Sequence, residues 1–78
     1  MQIEIITPDA KLFEGEVSSV KLPGSLGSFQ ILNHHAPIVS SLTSGNICIS
    51  REDGENKIYK INGGVVEMQN NKIIVLAD

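Results

Sequence analysis

A chain of 78 residues is enough for one small domain, and a domain of that size buries only roughly 60% of its unfolded surface. Deep catalytic pockets are therefore not expected, whereas a partner that covers more surface is. Hydrophobic residues make up 41% and the formal charge is −3, which favours a globular chain and argues against nucleic acid and anionic membrane as direct partners.

No stretch keeps the three-and-four spacing of an amphipathic helix, and β-branched residues are abundant, so every element reads as a strand. Met1, Ile3 and Ile5 alternate with Gln2 and Glu4, which predicts a half-buried first strand. Thr7-Pro8-Asp9-Ala10 breaks it, and Leu12-Phe13 opens a second. Val17 lies on the opposite parity from Val20 and Leu22, which predicts a β-bulge or break near Ser18-Ser19. Pro23-Gly24 reads as a turn. Phe29 and Ile31 then share one parity, Gln30 and Leu32 the other. Ile38-Val39 and Leu42 form the next strand, and Thr43-Ser44-Gly45 turns the chain. Ile47 and Ile49 point one way; Asn46, Cys48 and Ser50 point the other.

Arg51 to Lys57 is a charged hairpin tip built around Asp53-Gly54, a favoured type I′ pair, and Ile58 to Ile61 returns as its partner. After Gly63-Gly64, Val65 to Met68 forms a strand and Asn70-Asn71 a second tight hairpin. The closing run Ile73 to Ala77 is apolar on both parities. Its outward pair therefore needs cover from a neighbouring segment or a partner. Ile47, Ile49, Tyr59, Ile61, Val66 and Met68 are core candidates by parity. Turns at such short intervals predict an all-β fold, a small β-sandwich or flattened barrel of about eight to ten short strands, with residues 1–78 as a single domain.

The residues that could carry chemistry have plainer readings. His34 and His35 are adjacent, so on a strand they would face opposite ways and could not chelate together. No cysteine cluster or carboxylate spacing accompanies them, so no metal is expected. Nothing resembles a nucleophile elbow, and Gly24-x-x-Gly27 lacks the lysine of a phosphate loop, so no catalytic residue and no cofactor are expected. Cys48 is the only cysteine, which excludes an intrachain disulfide and fits a reducing, cytosolic compartment. No apolar run is long enough to span a bilayer, and no signal peptide is read, so membrane association should run through other proteins.

The most specific stretch is Gly27-Ser28-Phe29-Gln30-Ile31-Leu32-Asn33-His34-His35-Ala36-Pro37. It resembles the signature of the epsilon subunit of F-type ATP synthases, a Gly-x-(apolar)-x-Ile-(apolar)-x-x-His-Ala-Pro run in that family's N-terminal β domain. The flanks resemble it too: Thr7 to Val17 its opening hairpin, Leu42-Thr43-Ser44-Gly45 the turn after the signature, Ile61 to Glu67 its Gly-Gly-x-x-Glu segment, and Val75-Leu76-Ala77-Asp78 the end of its β domain. The resemblance implies a β-sandwich in the rotating central stalk that binds the gamma subunit and the c-ring. Such a subunit couples ion translocation to ATP synthesis at the cytoplasmic face of the bacterial inner membrane, with no small-molecule substrate. By position it implies Leu26, Gly27, Ser28, Phe29, His35, Ala36 and Pro37 as the residues facing the ring and adjacent gamma.

Three departures from the family pattern stand out. Ser28 occupies a position that is often acidic, Gln30 one that is often small, and Asn33-His34 replaces a frequent Pro-Gly. The implied ring contact is therefore polar rather than ionic. Longer members continue past the segment like Val75 to Asp78 into a helical hairpin that can restrain ATP hydrolysis and in some cases binds ATP. With no helical period in this sequence, neither property is expected of it. Two other readings remain. One is a biotin or lipoate carrier, for which Glu67 to Lys72 resembles the modified hairpin except that Gln69 follows Met68 and Lys72 falls beyond the turn. The other is a generic small β interaction module.

Overall fold

Alternation sets the first element. In β1 (Gln2–Ile6), Ile3 and Ile5 are fully buried while Gln2, Glu4 and Ile6 face outward, as a period of two requires of a strand with one wet face. The computed structural model describes residues 1–78, with nine strands and no helix. After the Thr7–Ala10 turn, β2 (Lys11–Glu16) pairs back on β1, with a register slip between Ile5 and Ile6 that alternation did not signal. The break expected near Ser18-Ser19 is present: β2 ends at Glu16 and β3 (Ser19–Gly24) starts afresh. Val17, Val20 and Leu22 can therefore all be buried despite their parities.

The reading of Pro23-Gly24 as a turn is corrected. Both residues belong to β3 and pair with Ser28 and Gly27 of β4 (Gly27–Leu32), so the hairpin reverses one step later, at Ser25-Leu26. Pro23 has no N–H to donate, but its carbonyl accepts from Thr43 N at 2.8 Å. Gly24 also pairs with Leu42 of β5 (Ile38–Leu42), while the first half of β3 pairs with β6 (Gly45–Ser50). Pro23-Gly24 thus marks a corner where one strand changes partners, not a reversal.

The remaining strands are β7 (Asn56–Ile61), β8 (Gly64–Gln69) and β9 (Lys72–Ala77). The order is β2-β1-β9-β8-β5-β3-β6-β7, with β4 on the other side of β3. Only β1 and β9 run parallel. The sheet bends at the corner, and the inward rows of its two arms meet in one cluster of 16 buried hydrophobic residues. Ile47, Ile49, Ile61, Val66 and Met68 are in it as expected; Tyr59 is only half-buried. Tyr59 instead packs on Phe13 with ring centroids 5.9 Å apart, and Lys57 Nζ lies 5.4 Å from the Phe13 centroid. These side chains close the seam between the edge strands β2 and β7, which share no ladder.

The two hairpin tips part company. Asn70 and Asn71 take φ of 53° and 58°, the left-handed pair that a type I′ turn demands. At the other tip only Gly54 is left-handed, with φ 87°. The expected type I′ turn there is replaced by a three-residue loop: Gly54 N donates to Arg51 O at 3.0 Å and Arg51 N to Glu55 O at 2.9 Å. Asp53 spends its side chain on Glu55 N at 2.9 Å, a local bond that favours a longer loop over the two-residue turn.

The corner makes a clear prediction. A Cβ on Gly24 would lie 2.6 Å from Gly27 O and 2.7 Å from the Phe29 ring. Gly24→Ala should cost about 1–3 kcal/mol, read from urea denaturation. A midpoint equal to the parent's would show that the corner yields freely.

Candidate docking surfaces

Two ends of β4 carry the residues singled out by the signature. At one end is the Ser25-Leu26 tip. Leu26 is fully exposed. Ser25 N donates to Ser41 O at 3.0 Å, and Ser41 Oγ donates to Ser25 Oγ at 2.9 Å, so the tip is braced against β5. Gly27 follows with φ 129° and open space around the position of a Cβ. Ser28 is exposed, whereas Phe29 turns its ring toward the core.

At the other end lies the loop from Asn33 to Pro37. The six residues of β4 separate it from the tip, a span of about 20 Å in a molecule whose longest extent is 27 Å. Leu26, Gly27 and Ser28 are therefore brought together, and so are His35, Ala36 and Pro37, but the two groups are not. The strand placement assumed for the histidines is also corrected. His34 sits in a turn with φ 62°, and His35 follows it outside any strand. The turn forms because His35 N donates to Leu32 O at 3.2 Å and His34 N to Asn71 Oδ1 at 2.8 Å. The His35 ring Nδ1–H donates to the Ala36 carbonyl at 2.8 Å. Asn33 Oδ1 accepts from the Met1 ammonium at 2.6 Å, which also meets Glu16 Oε2 at 3.1 Å. No three His, Cys, Asp or Glu side chains are grouped to hold a metal.

A third surface was legible only in part. In β9 the inward pair is Ile73 and Val75, fully buried, so Ile74 and Leu76 face out. Leu76 stands opposite Val65 of β8 and Ile6 of β1; Ile74 stands opposite Glu67 and Glu4. Val39 of β5 completes the row beside Glu67. Val39 is 74% exposed, Leu76 51% and Val65 45%, so no segment of the chain covers them. Val39 and Val65 could have been found from parity alone, since each lies off the core parity of its own strand. The rim is charged. Glu4 accepts from Lys11 Nζ at 3.0 Å and lies 4.0 Å from Lys72 Nζ, and Lys11 also reaches Glu14 at 3.1 Å. The hydrogen bonds that Lys11 donates to Glu4 and then to Glu14 hold its pKa above the ordinary value. Lys72, the lysine considered for a carrier, takes part in this rim and sits in β9 beyond the turn.

The fold and these surfaces define a small β-sandwich domain. Residues 1–78 match the family described as "ATP synthase, Delta/Epsilon chain, beta-sandwich domain". The chain belongs to that family. It is 44% identical over 77 residues to the ATP synthase epsilon chain of Campylobacter jejuni subsp. jejuni, covering 99% of this chain and 60% of that one. To the epsilon chain of Chlorobium limicola it is 40% identical, covering 99% of this chain and 88% of that one. To that of Dichelobacter nodosus it is 36% identical, covering 99% and 54%. The chain thus spans from about half to nine-tenths of the length of these relatives. Among solved structures, a chain of the Euglena gracilis mitochondrial ATP synthase (OSCP/F1/c-ring) superposes with a TM-score of 0.90 at 19% identity, covering 96% of this chain and 48% of that one. A chain of the Tetrahymena thermophila mitochondrial ATP synthase central stalk and c-ring gives 0.79 at 21%, covering 97% and 61%. At these identities the likeness concerns the fold.

Gly27 supplies the test of the tip. A β-branched residue resists its φ of 129° even though nothing crowds it. Gly27→Val should cost about 1–3 kcal/mol and weaken assembly more than Glu55→Ala in the exposed loop. Equal stability and equal retention of both variants in the purified complex would count against it.

Proposed function

We propose that this chain is a non-catalytic rotor subunit of an F-type ATP synthase central stalk, binding the gamma subunit and the c-ring and helping to pass torque between ion flow and the catalytic head. The observation that carries this reading is the outward apolar row Val39, Val65, Ile74 and Leu76 on β5, β8 and β9. A contiguous apolar face with a charged rim marks a partner site. It begins two residues after Pro37, so row and loop form one surface. In this reading gamma covers the row together with His35, Ala36 and Pro37. The tip of Leu26, Gly27 and Ser28 meets the polar loops of the ring. The loop and the tip lie at opposite ends of β4, and the row runs along β5 from Val39 near the loop to Val65 beside Ser41, so the two partners would meet each other near the tip. With Ser28 at the tip, the ring contact is polar rather than ionic. The subunit would sit at the cytoplasmic face of the bacterial inner membrane, attached through its partners and not through lipid. The epsilon-chain name of the relatives supports the reading.

The test compares two exposed apolar side chains on different faces. Leu76 is in the row; Ile58, 65% exposed, lies on the other arm. Leu76→Asp should weaken binding to gamma by roughly ten- to a hundred-fold. Ile58→Asp should leave it unchanged. The readout is the amount of gamma that co-purifies with each tagged variant from solubilised enzyme. Equal loss for both, or loss for Ile58→Asp alone, would overturn the assignment.

A further inference from the structure

We infer that Asn71, far from the signature in sequence, is the positioning residue for the Asn33–Pro37 loop. Two hydrogen bonds and a left-handed turn meet at this residue. Its backbone lies in the left-handed turn between β8 and β9, with φ 58°. Its carbonyl accepts from Gln2 N of β1 at 3.1 Å. Its side-chain Oδ1 accepts from His34 N at 2.8 Å. One residue therefore ties the β8–β9 hairpin and β1 to the turn that presents His35, Ala36 and Pro37.

The choice of residue at 71 points the same way. A type I′ turn needs left-handed angles at both central positions, and glycine at the second suits it at least as well as asparagine. The turn alone does not call for a side chain there. The bond to His34 does. His34 itself carries a side chain in the left-handed region, with φ 62°, where only small or locally bonded residues sit readily. Asn71 Oδ1 fixes the amide of the residue that most needs fixing. Both groups are exposed. Breaking the bond hands the His34 N–H to water and leaves no buried polar group, so the effect is local order and not global stability.

The functional part of this inference rests on the reading that the loop meets gamma. The experiment separates the two. Amide hydrogen exchange of the full chain is measured for the parent, Asn71→Gly, Asn71→Asp and Asn70→Gly, together with the melting temperature and gamma retention in the assembled enzyme. Asn71→Gly keeps the turn and removes the acceptor; exchange at His34 should rise about tenfold, with melting within a few degrees of the parent. Asn71→Asp keeps an acceptor oxygen and should restore slow exchange. Asn70→Gly changes the same turn without touching the loop and should leave His34 as in the parent. Unchanged exchange at His34 in Asn71→Gly overturns the inference. So does a rise at every amide together with a lower melting temperature, since that is general destabilisation. If His34 responds as expected while gamma retention is the same in all four proteins, the positioning role stands and the gamma contact of this loop falls.

Discussion

The structure depends on the corner at Gly24. A chain with no helix must cover its sheet with the same sheet. Here β3 does this by pairing with β6 through Ser19 to Lys21 and with β5 through Gly24 alone. That is the only ladder pair joining β3 to β5, and the bonds from Ser25 N to Ser41 O and from Thr43 N to Pro23 O flank it, so the angle between the arms is set around this corner. The space at the corner is closed: Gly24 lies under the Phe29 ring, and a Cβ on Gly45 would come within 2.8 Å of Pro23. A side chain at Gly24 would push β3 off β4, and one at Gly45 would push β6 off Pro23, so either would distort β3 where it changes partners. The seam at the far edges is softer, since Phe13 and Tyr59 close it by ring contact without ladder bonds.

Much of the fold is legible because alternation is a local property. In β1, β6 and β8 the inward row follows from hydrophobicity alone, and each of these strands buries the parity expected of it; β9 is apolar on both parities, and only the fold shows that Ile73 and Val75 face in. Asn70-Asn71 is legible for a similar reason, since both residues tolerate the angles that the shortest hairpin requires. The misreadings share a cause. Pro-Gly and Asp-Gly announce unusual backbone without saying what it serves. At Pro23-Gly24 the special geometry serves a corner, which requires knowing that β5 and β6 both reach β3. At Asp53-Gly54 a side-chain bond to Glu55 N decided the loop length. The turn at His34 is not legible in the sequence, since its amide donates to Asn71 Oδ1, 37 positions away, and no local pattern reports such a partner.

The signature behaves differently from the strands it contains. As a run of residues it looks like one site. As a structure it is a strand with an exposed segment at each end, and its middle is core: Ile31 is fully buried, and Phe29 packs against the same cluster. A linear motif of this kind combines one packing requirement with two surface requirements. Its residues are therefore expected to tolerate change unequally. Gly27 and the left-handed residue at 34 answer to backbone geometry, Phe29 and Ile31 to the core, and Ser28 and His35 to what lies outside.

The outward row of β9 carries information that the core does not. Folding needs only Ile73, Val75 and Ala77 to be apolar, because these are the β9 residues buried in the core. A threonine at 74 or 76 would satisfy the strand and its neighbours equally well. Residues 1–78 leave this face open, since all nine strands close one sheet around one core. Leaving Leu76, Val65 and Val39 wet forgoes the stabilisation that burial would give, about 25 cal/mol for each Å² of apolar surface. It also exposes a row on which copies could stick together, which the rim of Glu4, Lys11 and Lys72 and the Glu67 carboxylate between Ile74 and Val39 oppose by keeping charge around and within it. A face that stays apolar where folding does not ask for it, and is fenced with charge where association would be harmful, is shaped by what binds it.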